Sequence, residues 1–346
     1  MHLPLERREP LAPFSGLAVA EAPSLIGAGP DDPRRANHPD YLRAASLGFV
    51  ADELASVRCA SVLDERGRRI VLYQHGAPSL PKLVLLPPYG VSYVLLARLA
   101  ALLAERFHVL SWESPGCPDN AAPVDESDLG LDWQSALLRR IVAGQGYTDF
   151  HFVGWCQAAQ LAVHAVSTGA MAPATMTWIA PAGLGCAMVQ SDFDRCALPI
   201  YLDIERGGAA LAAKLAVMLD KHRSAPFSPA NAAEKLTMLH LADPALTHTF
   251  SRYMGAYARN QAGVHSMLAS ALATCPTLAI HCKDDTYSHF SESVQLAKRS
   301  PNVALKLLPK GGHLQLFNDP ATLAPLITQF IDDSGAGAPA RAKGHA

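Results

Sequence analysis

The stretch His151-Phe-Val-Gly-Trp-Cys-Gln-Ala-Ala-Gln-Leu-Ala-Val-His-Ala-Val166 changes character within a few residues. A β-forming run (Phe150, Phe152, Val153) leads into Gly154, Trp155 and Cys156, and a small-residue helical pattern (Ala158, Ala159, Ala162, Ala165) begins at once. Strand, tight turn and helix around one reactive residue form a nucleophile elbow, here with cysteine at its tip. The tip of such a turn is held in a strained backbone conformation, so its neighbours must be small. Gly154, two residues before, and Ala158, two after, supply that room. The same window also suits an inert thiol at the end of a core strand, because free cysteine is among the most buried residue types. The surrounding chain decides between the two.

Upstream of the elbow, Lys82-Leu-Val-Leu-Leu-Pro87 is a continuous apolar run, the mark of a strand buried on both faces of a parallel sheet. It ends at Pro87-Pro-Tyr-Gly90, and Ser92 then offers an N-cap for an amphipathic helix through Leu95, Leu96, Leu99, Leu102 and Leu103. Phe107 to Trp112 reads as the next strand, closed by Glu113-Ser-Pro-Gly-Cys-Pro118, and a helix is expected from Asp132 to Val142. Earlier still, Val57–Leu63 and Arg69–Gln74 flank Asp64-Glu-Arg-Gly67, which predicts an antiparallel hairpin. Pro39 to Leu54 permits a short helix. Residues 1 to 37, rich in Pro, Gly and Ala with clustered charges, are expected to wrap the surface or stay mobile.

Downstream, Thr175 to Ala180 predicts a strand ending at Pro181-Ala-Gly183. From Gly183 to Thr274 only helical patterns recur, such as Ala209–Leu219 and Ala232–Leu241, which suggests a helical lid inserted into the sheet. Strands follow at Pro276–Cys282 and Val303–Leu308, with a helix over Glu292–Lys298 between them. Lys310-Gly-Gly-His313 comes next, then a last helix from Ala321 to Ile331. The expected organisation is an N-terminal extension with a short helix (1–56), a first core part (57–182), the lid (183–274), a second core part (275–333) and a disordered Gly/Ala-rich tail (334–346).

With 346 residues, 49% hydrophobic and 17% charged, the chain suits one α/β domain carrying a large insertion. A formal net charge of −2 without a basic stripe argues against a nucleic-acid partner. The first ten residues lack the apolar core of a signal peptide, and Arg98 and Lys214 interrupt the apolar runs 94–104 and 209–219. A cytoplasmic protein with no membrane partner is expected. The seven cysteines are scattered, with no Cys-x-x-Cys pair, which suits reduced thiols rather than disulfides or a structural zinc. His222, His240, His248 and His265 lack a tight ligand spacing, so no metal is expected.

Strands alternating with helices make a mostly parallel, doubly wound sheet, with the strand-end loops on one edge. Cys156, then Asp284-Asp285, then His313 follow successive strands in the chain order nucleophile, acid, histidine. In this order and spacing, residues 57 to 332 resemble the α/β-hydrolase superfamily, and the resemblance favours Cys156 as a nucleophile over a buried thiol. It implies a Cys156–His313–Asp285 triad. Cys282-Lys-Asp-Asp matches the family's Gly-x-x-Asp loop with cysteine in the glycine place and selects Asp285, with Asp284 the close alternative. The family's oxyanion hole maps onto the backbone N–H groups of Gln157 and Tyr89, although Pro87-Pro88 stands where a His-Gly lead is usual. The Glu113-Ser-Pro-Gly116 turn matches one that is structural in most members.

Within that superfamily, the Gly-Trp-Cys-Gln-Ala elbow, the Pro-Pro-Tyr-Gly loop and the Trp-Glu-Ser-Pro-Gly turn resemble the cysteine-dependent, thioesterase-like aminoacyltransferases. The resemblance implies transfer of an aminoacyl group between phosphopantetheine arms of carrier proteins in nonribosomal peptide biosynthesis, with no cofactor beyond those arms. A thioesterase or dienelactone-type hydrolase is the alternative, and a noncatalytic binding protein of the same fold is a third possibility.

Overall fold

The fold is described by a computed structural model covering residues 20–21, 46–120, 123–218 and 227–335. The expectations for residues 1–19 and 22–45, which include the first half of the helix expected over 39–54, for His222 and for the tail beyond Gly335 lie outside the described residues.

The sheet has nine strands: Ala20–Glu21 (β1), Arg58–Leu63 (β2), Arg69–His75 (β3), Lys82–Leu86 (β4), His108–Trp112 (β5), Phe150–Trp155 (β6), Thr175–Ile179 (β7), Thr277–Cys282 (β8) and Val303–Leu308 (β9). Their spatial order is β1-β2-β3-β5-β4-β6-β7-β8-β9. β1 to β3 and the β3–β5 pair are antiparallel, and all pairs from β5 through β9 are parallel. Every residue of β5, β6, β7 and β8 is buried, as expected for strands covered on both faces. The edge strand β9 instead alternates between buried and exposed positions.

Helices Ala97–Leu103 (α1), Leu131–Gly144 (α2), Ala158–Ser167 (α3), Ser291–Arg299 (α7) and Pro320–Asp333 (α8) flank the sheet. Between β7 and β8 lie Leu198–Met218 (α4), Ala232–Thr237 (α5) and Pro244–Thr274 (α6), with no strand among the described residues of this stretch. Here the sequence expectation was too coarse. The helix expected from Ala209 is the second half of α4, which breaks at Gly208 (φ 68°, ψ −167°). The one expected over 232–241 ends at Thr237 and continues as a 3-10 turn, Leu239–Ala242. α6 is the longest helix described, at 31 residues; the Asp243 side chain caps it by accepting from the Ala245 and Leu246 amides.

Sheet order places the reactive residues. The connections leaving the neighbouring strands β4 and β6 run in opposite directions, from β4 to β5 on one side and from β6 to β7 on the other, and ligands of open α/β sheets bind beyond the carboxyl ends of strands at such a switch point. Tyr89 follows β4 and Cys156 follows β6.

Candidate active site

Cys156 has φ 56°, and only one other described non-glycine residue, Ala180, has positive φ. A left-handed conformation is unfavourable for a side chain with a Cβ, so it persists only where the surroundings enforce it. Here they do. The Cys156 amide bonds to the Ile179 carbonyl (2.9 Å) and its carbonyl accepts from the Ala159 (3.2 Å) and Ala182 (3.3 Å) amides. Packing closes the turn from below: a Cβ on Gly154 would lie 2.8 Å from the Phe152 ring and 3.0 Å from the Ala158 Cβ. The two small residues are therefore in mutual contact, which is why neither tolerates growth.

The two adjacent carboxylates at the end of β8 do different things. Asp285 Oδ2 takes His313 Nδ1 at 2.8 Å, while Oδ1 accepts from the Tyr287 (2.8 Å) and Ser288 (3.0 Å) amides. Asp284 instead accepts from the Gly311 (3.2 Å) and Gly312 (2.9 Å) amides and so holds the histidine loop itself. Gly312 (φ 61°) turns that loop toward the elbow. The geometry selects Asp285 as the partner of His313.

His313 is buried, its ring flanked by Tyr287 (5.0 Å between centroids, 17° between planes) and Trp155 (5.2 Å, 42°). With Nδ1 on Asp285, its other nitrogen is left for Cys156, which lines the same cavity. Burial pulls the imidazole's pKa down. The Asp285 charge and hydrogen bond, joined by Cys156, outweigh that and carry it up to about 10. The Asp285 carboxyl shows the converse: burial raises its pKa, but the charge of His313 and hydrogen bonds from His281, His313 and the Ser288 amide hold it well below the usual carboxylate range.

Two residues behind this pair escaped sequence reading. His281 Nε2 lies 3.4 Å from Asp285 Oδ2 and its Nδ1 meets Ser293 Oγ at 2.8 Å, while Ser288 Oγ donates to Asp285 Oδ2 at 3.3 Å. A histidine four residues before the acid was the available signal, hidden inside an otherwise apolar strand.

Tyr89 and Gln157 sit on either side of the elbow. Gln157 is the N-cap residue of α3, and Pro88 and Val91, flanking Tyr89, line one cavity together with Cys156. Among the turn and loop hydrogen bonds of the described residues, neither the Gln157 nor the Tyr89 amide donates. Glu113 is buried and accepts from Ser92 Oγ (3.1 Å) and the Tyr93 amide (2.7 Å), which braces the loop after β4. Among the described residues, no group of three or more His, Cys, Asp or Glu could hold a metal ion, and no helix is long and apolar enough to cross a membrane.

The cavity beside Cys156 has a volume of about 180 Å³ and is roofed by residues of the β7–β8 insertion. A Cys, a His and an Asp are gathered at the carboxyl edge of a mostly parallel, doubly wound sheet, under inserted helices. The chain belongs to the Alpha/beta hydrolase family, which it matches over residues 83–326. No curated protein matches it in sequence. Similar solved structures include a candidate acyltransferase from Salmonella enterica (TM-score 0.64, 17% identity, covering 81% of this chain and 96% of that one). A thioesterase domain from the curacin biosynthetic pathway is similar at TM-score 0.57 and 15% identity, over 79% and 99% of the two chains. A membrane phospholipase A, a bacterial virulence factor, is similar at TM-score 0.59 and 18% identity, over 87% and 92%. These likenesses are of fold.

Proposed function

We propose that the chain is an acyltransferase that carries its acyl group as a thioester on Cys156, with His313 and Asp285 completing a triad. The observation that carries this reading is the elbow: a cysteine held at φ 56° on the same cavity as a histidine whose Nδ1 is fixed by a buried carboxylate. The Cys156 sulfur attacks the carbonyl of a phosphopantetheine thioester, the carbon–sulfur bond to pantetheine breaks, and His313 delivers a proton to the departing thiolate. A second thiol then gives its proton to His313, attacks the acyl-cysteine carbonyl and releases Cys156. The Gln157 and Tyr89 amides, which have no acceptor in the turns that hold them, supply the oxyanion donors.

Sulfur in place of oxygen supports transfer. An acyl-cysteine is nearly isoenergetic with the thioester it came from, so the group can be passed on reversibly. The sequence resemblance narrows the proposal to aminoacyl groups moved between carrier domains of nonribosomal peptide assembly. The scheme uses no cofactor of its own, since the phosphopantetheine arm belongs to the carrier. The second reading, a thioesterase or dienelactone-type hydrolase using the same triad, draws its support from membership in a hydrolase family. A noncatalytic binding protein would leave Cys156 no more reactive than the other cysteines.

A time course of labelled acyl group among donor carrier, Cys156, acceptor carrier and free acid separates these readings. Transfer predicts a transient Cys156 adduct and label on the acceptor. Free acid formed at the same rate without an acceptor thiol points to the hydrolase, and no adduct at any time defeats both.

A further inference from the structure

The wall of the cavity opposite Cys156 is built from three separate pieces of the insertion. Tyr201 comes from α4, His240 from the 3-10 turn and Phe250 from α6. Phe250 stacks on His240 (3.8 Å between centroids, 15°) and meets Tyr201 edge-on (5.0 Å, 72°), and Tyr201 Oη lies 3.0 Å from His240 Nε2. Together the three rings hold one another in place, with a single hydrogen bond between the Tyr201 hydroxyl and the His240 ring. Burial lowers the pKa of this imidazole to about 3, which leaves it uncharged.

Among the described residues, no Asp, Glu, Lys or Arg lines the cavity. Size sets a second limit. An apolar cavity of roughly 150 Å³ accepts benzene, and this one, at about 180 Å³, has room for a group of that order. Across the wall lies a far smaller cavity of about 20 Å³, bounded by Ser92, Cys117 and Leu246, which shares Val91, Thr237, His240 and Phe250 with the first. Phe250 and His240 are thus a partition between two spaces.

We propose that Tyr201, His240 and Phe250 are specificity-determining residues that close an acyl-binding cavity for short acyl groups with uncharged, branched or aromatic side chains, and that acyl groups that are long or carry a charge beyond the α-carbon are excluded. A charge carried beyond the α-carbon would be buried there with no counter-ion of its own, since His313, the charged group on the lining, is already paired with Asp285, and a long chain would have to pass through the partition. The inference rests on the Cys156 acyl-enzyme proposed above.

The test is the initial rate of Cys156 acylation, read by intact-protein mass, when the full chain meets pantetheine thioesters of isovaleryl, phenylacetyl, decanoyl and succinyl groups. Isovaleryl and phenylacetyl should load at least about tenfold faster than decanoyl and succinyl. Phe250→Ala should join the two cavities and raise decanoyl loading about tenfold relative to isovaleryl. Ala197→Phe, which fills the first cavity from a half-buried position, should depress phenylacetyl relative to isovaleryl, and it serves if Phe250→Ala does not fold. Equal loading of decanoyl and isovaleryl by the wild type, or an unchanged ranking in the folded variants, overturns the wall's role while leaving the acyl-enzyme standing. No adduct from any thioester overturns both.

Discussion

Around Cys156 nearly every reactive atom is held by a backbone conformation or a directed hydrogen bond, whereas across the cavity Tyr201, His240 and Phe250 hold one another chiefly by ring packing. Cys156 is fixed at positive φ by bonds to Ile179, Ala159 and Ala182, and His313 by Asp285 from one side and Tyr287 and Trp155 on its faces. The wall's three rings have one hydrogen bond among them, between Tyr201 and His240. Reaction geometry is thereby separated from substrate fit: the first tolerates almost no change of residue type, while the second can be recut by exchanging one ring for another.

The sharpest test of this contrast is Cys156→Ala, which should abolish the acyl adduct and lower turnover by at least about a thousandfold. Persistence of the adduct would place the nucleophile elsewhere. Next comes the carboxylate pair. Asp285→Asn should lower turnover by about a thousandfold, because the amide oxygen stays with the Tyr287 and Ser288 amides and the NH2 group that then faces His313 Nδ1 donates to it, imposing the wrong tautomer. Asp284→Asn should cost less than about tenfold, since it only loosens the loop; comparable losses in the two variants would break the division of roles.

The pair also sets a pH window. His313 titrates near 10 when folded and near ~6.5 when unfolded, so the stability it contributes is full below about 6.5 and fades as pH rises through 10. The Asp285 contribution has the opposite sense, present above its ordinary value near ~3.9 and lost as pH falls through its depressed one. Both are therefore complete between roughly pH 4 and 6.5. Urea midpoints for wild type and His313→Gln should differ most in that window and converge above pH 10. A gap that stays constant to pH 11 would show that the ion pair adds nothing. The smallest effect belongs to the wall: Tyr201→Phe removes its hydrogen bond and should cost about 1 kcal/mol in thermal or urea unfolding.

The same contrast explains what was legible in the sequence. A strained elbow needs Gly154 and Ala158, and a turned histidine loop needs Gly311-Gly312, so backbone constraints leave residue types at fixed offsets that can be read without coordinates. Buried parallel strands announce themselves as apolar runs, and β4 to β8 fell where those runs are. Two adjacent aspartates left the acid open, because which carboxylate faces His313 depends on the turn through Tyr287 and Ser288 that bonds to Oδ1. The wall was illegible for a different reason. His240 carries no local pattern that marks it; its meaning comes from Phe250 and Tyr201, brought beside it only by the packing of α6 against α4 and the 3-10 turn. Gly208 was likewise silent, since a glycine within a helical pattern does not reveal whether the helix bends there.

The insertion also bears on how this chain can change. β7 and β8 are hydrogen-bonded neighbours, yet the chain leaves the sheet after Ile179 and returns only at Thr277. The entropy lost in closing a loop rises only with the logarithm of its length, by about 0.6 kcal/mol per doubling. Adding or deleting a helical turn between those strands is therefore nearly free to the sheet, although it redraws the roof over Cys156. Descendants of this chain can explore new acyl groups by insertion and deletion while Cys156, Asp285 and His313 keep their register.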